Sequence, residues 1–422
     1  MAQRHSFWFP LTVVVAFVAL LAAAGFRSAP GVLMDPLHSE FGWSHGTISG
    51  AVSLNLLLFG LFSPFATSLM ERFGVHRVAA VALAVVGIGS ALSVFVSEPW
   101  QLWVLWGLLI GAGTGAVSMP FAALVSGRWF TQRRGLVSGV LTAASSTGQL
   151  VFLPLLAHLA NRHSWQAASL VIAAAAVLAA PVVFLLRKDR PQDVGLVSYG
   201  QNPDSSRDAV AAARPALTAL GSLRLAGKSR EFWLLAGTFA VCGATTVGLV
   251  GTHFVPSAHD HGMPATTAAS LLALVGIFDI IGTLASGWLT DRIDPRILLV
   301  AYYGLRGISL LLLPMMMGPV VEPPLWAFIV FYGLDWVATV PPTMALCREH
   351  FGDSGPVVFG WVFASHQVGA GVAAAGAGMI RDTTGSYDGA WFSAAALCGV
   401  GALLCLCIRR SRVGREVVGA QS

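Results

Sequence analysis

Charged residues are scarce in this chain of 422 residues. Asp, Glu, Lys and Arg make up 11% of it, whereas a soluble globular protein usually carries about 25%. Hydrophobic residues make up 55%, and the mean hydropathy is +0.72. This composition excludes a soluble enzyme. Because apolar runs of about 20 residues, long enough to cross a bilayer as a helix, recur along the chain, we predict an all-α membrane protein.

Cofactor and catalytic motifs are also missing from the sequence. The five cysteines show no C-x-x-C spacing, which argues against a disulfide framework and a zinc site. No H-E-x-x-H occurs, and Gly227-Lys228-Ser229 follows its nearest candidate glycine, Gly221, at the wrong distance for a P-loop. We therefore expect neither an enzyme nor a metal or nucleotide cofactor.

The apolar segments predict twelve transmembrane helices. We number them as spans one to twelve, at 7–28, 46–69, 78–97, 101–124, 135–158, 165–186, 231–255, 267–289, 296–317, 324–345, 357–380 and 387–408. A cleaved signal peptide ending at Ala22-Ala23-Ala24 is an alternative for span one. Cleavage would leave eleven spans and break the pairing of the two halves.

Lysine and arginine predict the orientation of these spans. With both termini in the cytoplasm, the loops on the outer side hold only Arg162 and Arg381, and the other loop cations lie inside. This distribution follows the positive-inside rule. It explains the net charge of +5 without a nucleic-acid partner, and it favours a multi-pass protein of the inner (plasma) membrane.

A polar stretch divides the chain into two hydrophobic halves. Residues 187–230 are rich in charged residues, proline and serine, and we interpret them as a cytoplasmic linker. The prediction is an N-terminal six-helix bundle at 1–186, a C-terminal six-helix bundle at 231–410 and a cytoplasmic tail at 411–422. Two halves of six spans indicate pseudo-symmetric bundles around a central pathway.

A short motif recurs at the same place in both halves. Glu71 and Arg72 follow span two, and Asp291 and Arg292 follow span eight. Asp291 is four residues after Gly287. This pattern resembles the G-x-x-x-D-R-x-G-R-R loop of the major facilitator superfamily. The resemblance covers the whole chain, and it implies the fold of that superfamily and a gating role for the five residues.

A narrower resemblance is to the monocarboxylate transporter and oxalate/formate antiporter branch. It rests on 25–32 with Phe41-Gly42-Trp43-Ser44, on Arg128-Trp129-Phe130 with 133–136, and on Phe278-Asp279. In that branch a cation near the outer end of span one, and an acid and an arginine in span eight, serve substrate binding and proton coupling. Here Arg27 replaces the expected lysine, Asp279 matches the acid, and Thr283 stands where the arginine would be.

Four ionisable residues lie within the predicted spans, where an unpaired charge costs several kcal/mol. They are Arg27, Asp279, Arg306 and Asp335. We predict that Arg306 and Asp335, in neighbouring spans, form a structural ion pair. Arginine stays protonated and offers a planar fork to a carboxylate, so Arg27 is the predicted anion site. Asp279, which can bind and release a proton, is the predicted proton-coupling residue.

Further polar and aromatic residues within the spans are candidates for substrate contact. We name His366, Asn55, Gln149 and Trp361. For each of them, a packed position in the bundle is the alternative explanation.

The sequence thus predicts a secondary transporter that carries a small organic anion, similar to a monocarboxylate, together with protons. The expected partners are this substrate, protons and the lipid bilayer, and the expected state is a monomer. Efflux of amphipathic small molecules is the second transport hypothesis. A substrate sensor without transport is the third.

Overall fold

The computed structural model describes residues 2–27, 29–185, 188–201 and 218–409. Within these ranges, ten helical stretches are long and apolar enough to cross a membrane, and a bent pair adds an eleventh. One of the ten, Pro323–Thr384, has 62 residues. It would extend roughly 90 Å as a single helix, about three times the thickness of the hydrocarbon core, and it contains two spans. The prediction of twelve spans is confirmed.

Alpha-carbon contacts divide the chain into two compact units, Met1–Ala219 and Leu220–Ser422. Among the described residues, each unit contains six spans. In the first unit they are Ala2–Arg27, His45–Leu61 with Ser63–Phe73, Val75–Leu92, the run from Pro99–Leu102 to Met119–Trp129, Arg134–Arg162, and Trp165–Leu185. In the second they are the run from Arg230–Gly243 to Gly251–Asp260, Ala265–Thr290, Pro295–Met316, Pro323–Asp335 with Val340–Phe351, Gly355–Thr384, and Asp388–Leu406.

The two units repeat one packing pattern. In the first unit span one packs on spans five and six, span two on span four, and span three on span six. In the second unit span seven packs on spans eleven and twelve, span eight on span ten, and span nine on span twelve. These contacts correspond one to one, so the predicted pseudo-symmetry is present in the internal packing of each bundle.

Several spans are irregular, which hydropathy did not predict. Span two bends by 47° between its two helices. Pro64 lies in the first turn after the bend and has no N–H to donate to the carbonyl of Gly60, which Ser63 Oγ reaches instead at 2.9 Å. Spans four and seven contain π-helical stretches, at Trp103–Ile110 and Ala244–Val250.

The segment after span one contains a helix where the sequence analysis assigned none. Pro30–Phe41 ends at Gly42, whose φ of 67° is a left-handed conformation that favours glycine. Leu33 and Leu37, one turn apart, are buried in a core cluster with Trp106 and Trp165 of the first unit. The helix therefore covers one end of that bundle.

Part of the predicted linker has regular structure. Residues 188–201 contain the short helix Pro191–Val194, and Ala219–Ala226 is helical before span seven begins. Residues 202–217 of the linker and the predicted tail 411–422 lie outside the described residues. The division of the chain into two bundles, a cytoplasmic linker and a cytoplasmic tail at the predicted residues stays a prediction.

Candidate functional site

Arg27 is the last residue of span one, and its side chain is half-buried in the first unit. Its guanidinium lies over the Phe59 ring of span two, 4.7 Å from the centroid, a distance at which a cation is attracted to an aromatic face. The side chain also borders a cavity of about 10 Å³, close to the smallest volume that holds one water molecule. This cavity is lined by Leu20, Ala23, Ala24, Arg27, Phe59, Thr114, Val117 and Ser145.

Two other predicted substrate-contact residues lie in the first unit. Asn55 is buried, and its Nδ2 donates to the carbonyl oxygen of Trp106 at 2.6 Å. That carbonyl belongs to the π-helical stretch of span four, so the amide joins spans two and four. Gln149 is half-buried in span five. The roles of both residues in substrate binding stay predictions.

Asp279 lies near the middle of span eight and is 1% exposed. Its Oδ1 accepts a hydrogen bond from Thr283 Oγ1, one turn along the same helix, at 3.0 Å. The same oxygen accepts the backbone N–H of Val337, also at 3.0 Å. Val337 belongs to span ten, so the carboxylate links two spans through a main-chain group.

Arg306 and Asp335 are in contact within the second unit. Arg306 Nε donates to Asp335 Oδ2 at 2.5 Å, and both side chains are buried. Arg306 Nη2 donates to the carbonyl oxygens of Asp335 at 2.6 Å and Trp336 at 3.4 Å. Its Nη1 lies 3.3 Å from Cys242 Sγ and 3.4 Å from Thr245 Oγ1, so span seven contributes to the same cluster.

The structure therefore gathers three of the four intramembrane ionisable residues at one place. Asp279 accepts the N–H of Val337, between the two helices of span ten, Pro323–Asp335 and Val340–Phe351. Arg306 binds the side chain and the carbonyl of Asp335, the last residue of the first of these helices. Asp335 Oδ1 is buried and has no hydrogen-bond partner in the described part of the chain. Arg27 belongs to the first unit and Asp279 to the second, so their functional pairing stays a prediction.

The remaining predicted contact residues lie in span eleven. His366 is buried, with its ring stacked on Phe363 at 6.0 Å and tilted against Phe239 of span seven at 5.0 Å. A side chain at Gly243 would collide with the backbone carbonyl of His366, so spans seven and eleven approach closely there. Trp361 is half-buried.

The duplicated motif lies closer to the helices than the sequence analysis placed it. Glu71 and Arg72 are in the last turn of Ser63–Phe73, so the helix of span two ends four residues beyond the expected residue 69. A helix continues past the apolar residues because its backbone hydrogen bonds do not depend on hydropathy. Arg72 lies over the adjacent Phe73 ring, 5.2 Å from the centroid.

In the second copy, Gly287 lies within span eight and Asp291 directly follows its last residue, Thr290. Arg292 packs on Trp288, with its guanidinium carbon 3.9 Å from the ring centroid and its Nη1 donating to the carbonyl of Trp288. The gating role of both copies stays a prediction.

Sequence reasoning missed a contact between the start of the linker and the loop that follows the first motif. Asp189 accepts a hydrogen bond from the backbone N–H of His76 at 3.1 Å, and it contacts Nδ1 of the His76 ring at 3.0 Å. Gly74, with φ of 99°, leaves the space that this carboxylate occupies. The spacing of the motif carries no signal for this contact, because Asp189 is more than a hundred residues away along the chain.

Comparison with known proteins agrees with this architecture. The family model described as Major Facilitator Superfamily matches residues 15–374. The chain belongs to the major facilitator superfamily. It is therefore a multi-pass membrane transporter of small molecules and not an enzyme.

Two relatives and a solved structure illustrate the membership. The uncharacterized MFS-type transporter YcxA of Bacillus subtilis is 27% identical over 390 residues, which cover 90% of each chain. Monocarboxylate transporter 13 of Rattus norvegicus is 27% identical over 412 residues, covering 94% of this chain and 89% of the relative. The crystal structure of the E. coli fucose:proton symporter FucP matches with a TM-score of 0.65 at 18% identity, over 96% of this chain and 99% of the FucP chain. This similarity supports the fold alone.

Proposed function

We propose that this superfamily member is a proton-coupled carrier for a small organic anion, in the first instance a monocarboxylate, and that it works by alternating access. The observation that carries the proposal is Asp279: a buried acid in the middle of span eight, hydrogen-bonded to the backbone of span ten. An ionisable residue at that depth is a candidate for a proton pathway. The relatives named as monocarboxylate transporters support the same substrate class.

In this proposal Arg27 and Asp279 have different tasks. Arg27 keeps its charge at physiological pH, and its planar guanidinium matches a substrate carboxylate with two hydrogen bonds. Asp279 binds the proton, which removes its negative charge before the carrier changes conformation. The proposal requires both residues to face one pathway. We further propose that the protein is a monomer in the inner membrane, with both termini in the cytoplasm.

Transport by purified protein in liposomes tests the function. A proton gradient that is acidic outside should drive the accumulation of at least one radiolabelled short-chain monocarboxylate, and an ionophore that collapses the gradient should stop it. Uptake that is the same with and without the gradient would contradict proton coupling. Failure with every carboxylate, combined with gradient-driven transport of a lipophilic cation or dye, would favour the efflux hypothesis.

Arg27→Gln tests the anion site. The substitution retains much of the side-chain length but removes the fixed charge, so anion binding should weaken by about 1.5–3 kcal/mol, the value of a hydrogen bond to a charged group. Isothermal titration calorimetry with the transported anion measures the change. Arg162→Gln is the matched control, because Arg162 is an exposed arginine of the same unit. Unchanged affinity in Arg27→Gln would remove Arg27 from the site.

A further inference from the structure

Span ten is interrupted near its middle. Its first helix ends at Asp335 and its second begins at Val340. We call residues 336–339 the broken segment. Pro341 and Pro342 follow it, and neither has an N–H to donate to the carbonyl four residues earlier, at Val337 and Ala338. The interruption thus follows from two consecutive prolines.

An interrupted helix inside a membrane needs other partners for its backbone groups, since each unsatisfied group costs several kcal/mol there. Two neighbouring spans supply them. Span eight contributes Asp279 to the N–H of Val337 at 3.0 Å and Ser286 Oγ to the carbonyl of Ala338 at 2.5 Å. Span nine contributes Arg306 to the carbonyls on the N-terminal side of the break. Span seven contacts a side chain of the segment, since Cys242 Sγ lies 3.1 Å from Thr339 Oγ1.

Two glycines set the approach of span eight to span ten. A Cβ at Gly282 would collide with the backbone carbonyl of Leu334, and a Cβ at Gly333 would collide with the Phe278 side chain and the Val275 carbonyl. Asp279 is three residues before Gly282, on a part of span eight that is therefore held against the backbone of span ten. This packing brings a short aspartate side chain within reach of a main-chain N–H.

We propose that Asp279 acts on transport through the broken segment, with Thr283 and Ser286 as positioning residues. The inference rests on the proposed role of Asp279 as the proton-binding residue. An ionised carboxylate accepts a hydrogen bond roughly twice as strong as a neutral group does. Binding of a proton to Asp279 therefore weakens its hold on Val337 and loosens the joint between the two helices of span ten. In this way the charge state of one side chain sets the rigidity of a whole span.

Other charged and titratable groups meet the same segment. Arg306 is permanently positive and remains in place when Asp279 changes charge. Cys242 of span seven contacts Thr339, and the Tyr332 ring lies 5.7 Å from the Trp336 ring. Asp335 directly precedes the segment, and Tyr302 of span nine lies near Ser286 and Asp335. The titratable and charged residues of the second helix of span ten, Cys347 to His350, lie toward its C-terminal end, away from the break. Of the groups at the break that the structure describes, Asp279 is the one whose side chain accepts a backbone N–H of the broken segment.

Amide hydrogen–deuterium exchange of the protein in lipid nanodiscs tests the proposal at a single pH. In Asp279→Ala, peptides that cover 336–345 should exchange about tenfold faster than in the wild type, as expected for a lost hydrogen bond to a charged group. Asp279→Asn mimics the protonated acid and keeps its volume. Its exchange rate at these peptides should lie between those of the wild type and Asp279→Ala. Exchange within twofold of wild type in both variants would overturn the proposal.

Thr283 provides a second and milder set of variants. Thr283→Val removes the hydroxyl that donates to Asp279 Oδ1 with little change in shape, and Thr283→Ser keeps it. The valine variant should raise exchange at 336–345 and shift the external pH of half-maximal substrate uptake, and the serine variant should restore both. Thr290→Val is the matched control, because Thr290 Oγ1 binds its own helix at Ser286 O. Equal effects of Thr283→Val and Thr290→Val would contradict a positioning role.

Transport measurements on the same variants separate this inference from the proposed function. If Asp279→Asn still accumulates substrate against a pH gradient, the proton-binding role of Asp279 is wrong whatever the exchange data show. If accumulation is lost but exchange at 336–345 matches the wild type, Asp279 binds the proton without acting on span ten.

Discussion

Asp279→Asn is expected to abolish the accumulation of substrate driven by a pH gradient, while substrate exchange across the membrane continues. Asparagine is neutral at every pH, so it resembles the protonated acid and cannot release a proton on the other side. It can still accept hydrogen bonds from Thr283 and Val337, so the fold should be retained. Both activities are measured in the same proteoliposomes, with labelled substrate on one side and with or without unlabelled substrate on the other.

Asp382→Asn is the control for this experiment. Asp382 is an exposed aspartate near the end of span eleven, and its loss should leave gradient-driven accumulation unchanged. Gradient-driven accumulation by Asp279→Asn at the wild-type level would show that another group carries the proton. If Asp279→Asn loses both substrate exchange and gradient-driven accumulation, Asp279 is needed for a step other than proton binding.

Asp335→Asn should instead lower the stability of the protein, by about 3–5 kcal/mol, the usual cost of removing one partner from a buried ion pair. Arg306 is fully buried and would keep its charge without a counter-ion. Thermal unfolding of the purified variant in detergent, together with its monodisperse yield, measures the effect.

The double variant Arg306→Gln with Asp335→Asn is the matched control, since it removes both charges. Replacing both members of a buried pair is often close to neutral, so the double variant should recover much of the lost stability. If Asp335→Asn is as stable as the wild type and loses gradient-driven accumulation, while Asp279→Asn keeps it, the roles of the two acids are reversed.

The sequence by itself determined the fold class of this protein. Hydropathy is a local property that can be calculated from the sequence alone. With only 11% charged residues, the chain contains twelve apolar segments that are long enough to cross a membrane. The same scarcity of charge identified four residues within the spans as candidates, because an ionisable residue in a membrane is costly unless it is paired or faces water. They are Arg27, Asp279, Arg306 and Asp335. The repeated acid–arginine motif at Glu71 and Asp291 identified the superfamily.

Only the tertiary structure decided what these residues contact. Asp279 binds the N–H of Val337, a main-chain group that every non-proline residue has, so no side chain in the sequence marks it as a partner. The contact depends on the close approach of two helices at Gly282 and Gly333 and on the interruption before Pro341. Local periodicity reports which residues are apolar, whereas the partner of a buried polar group is set by the packing of segments distant in sequence.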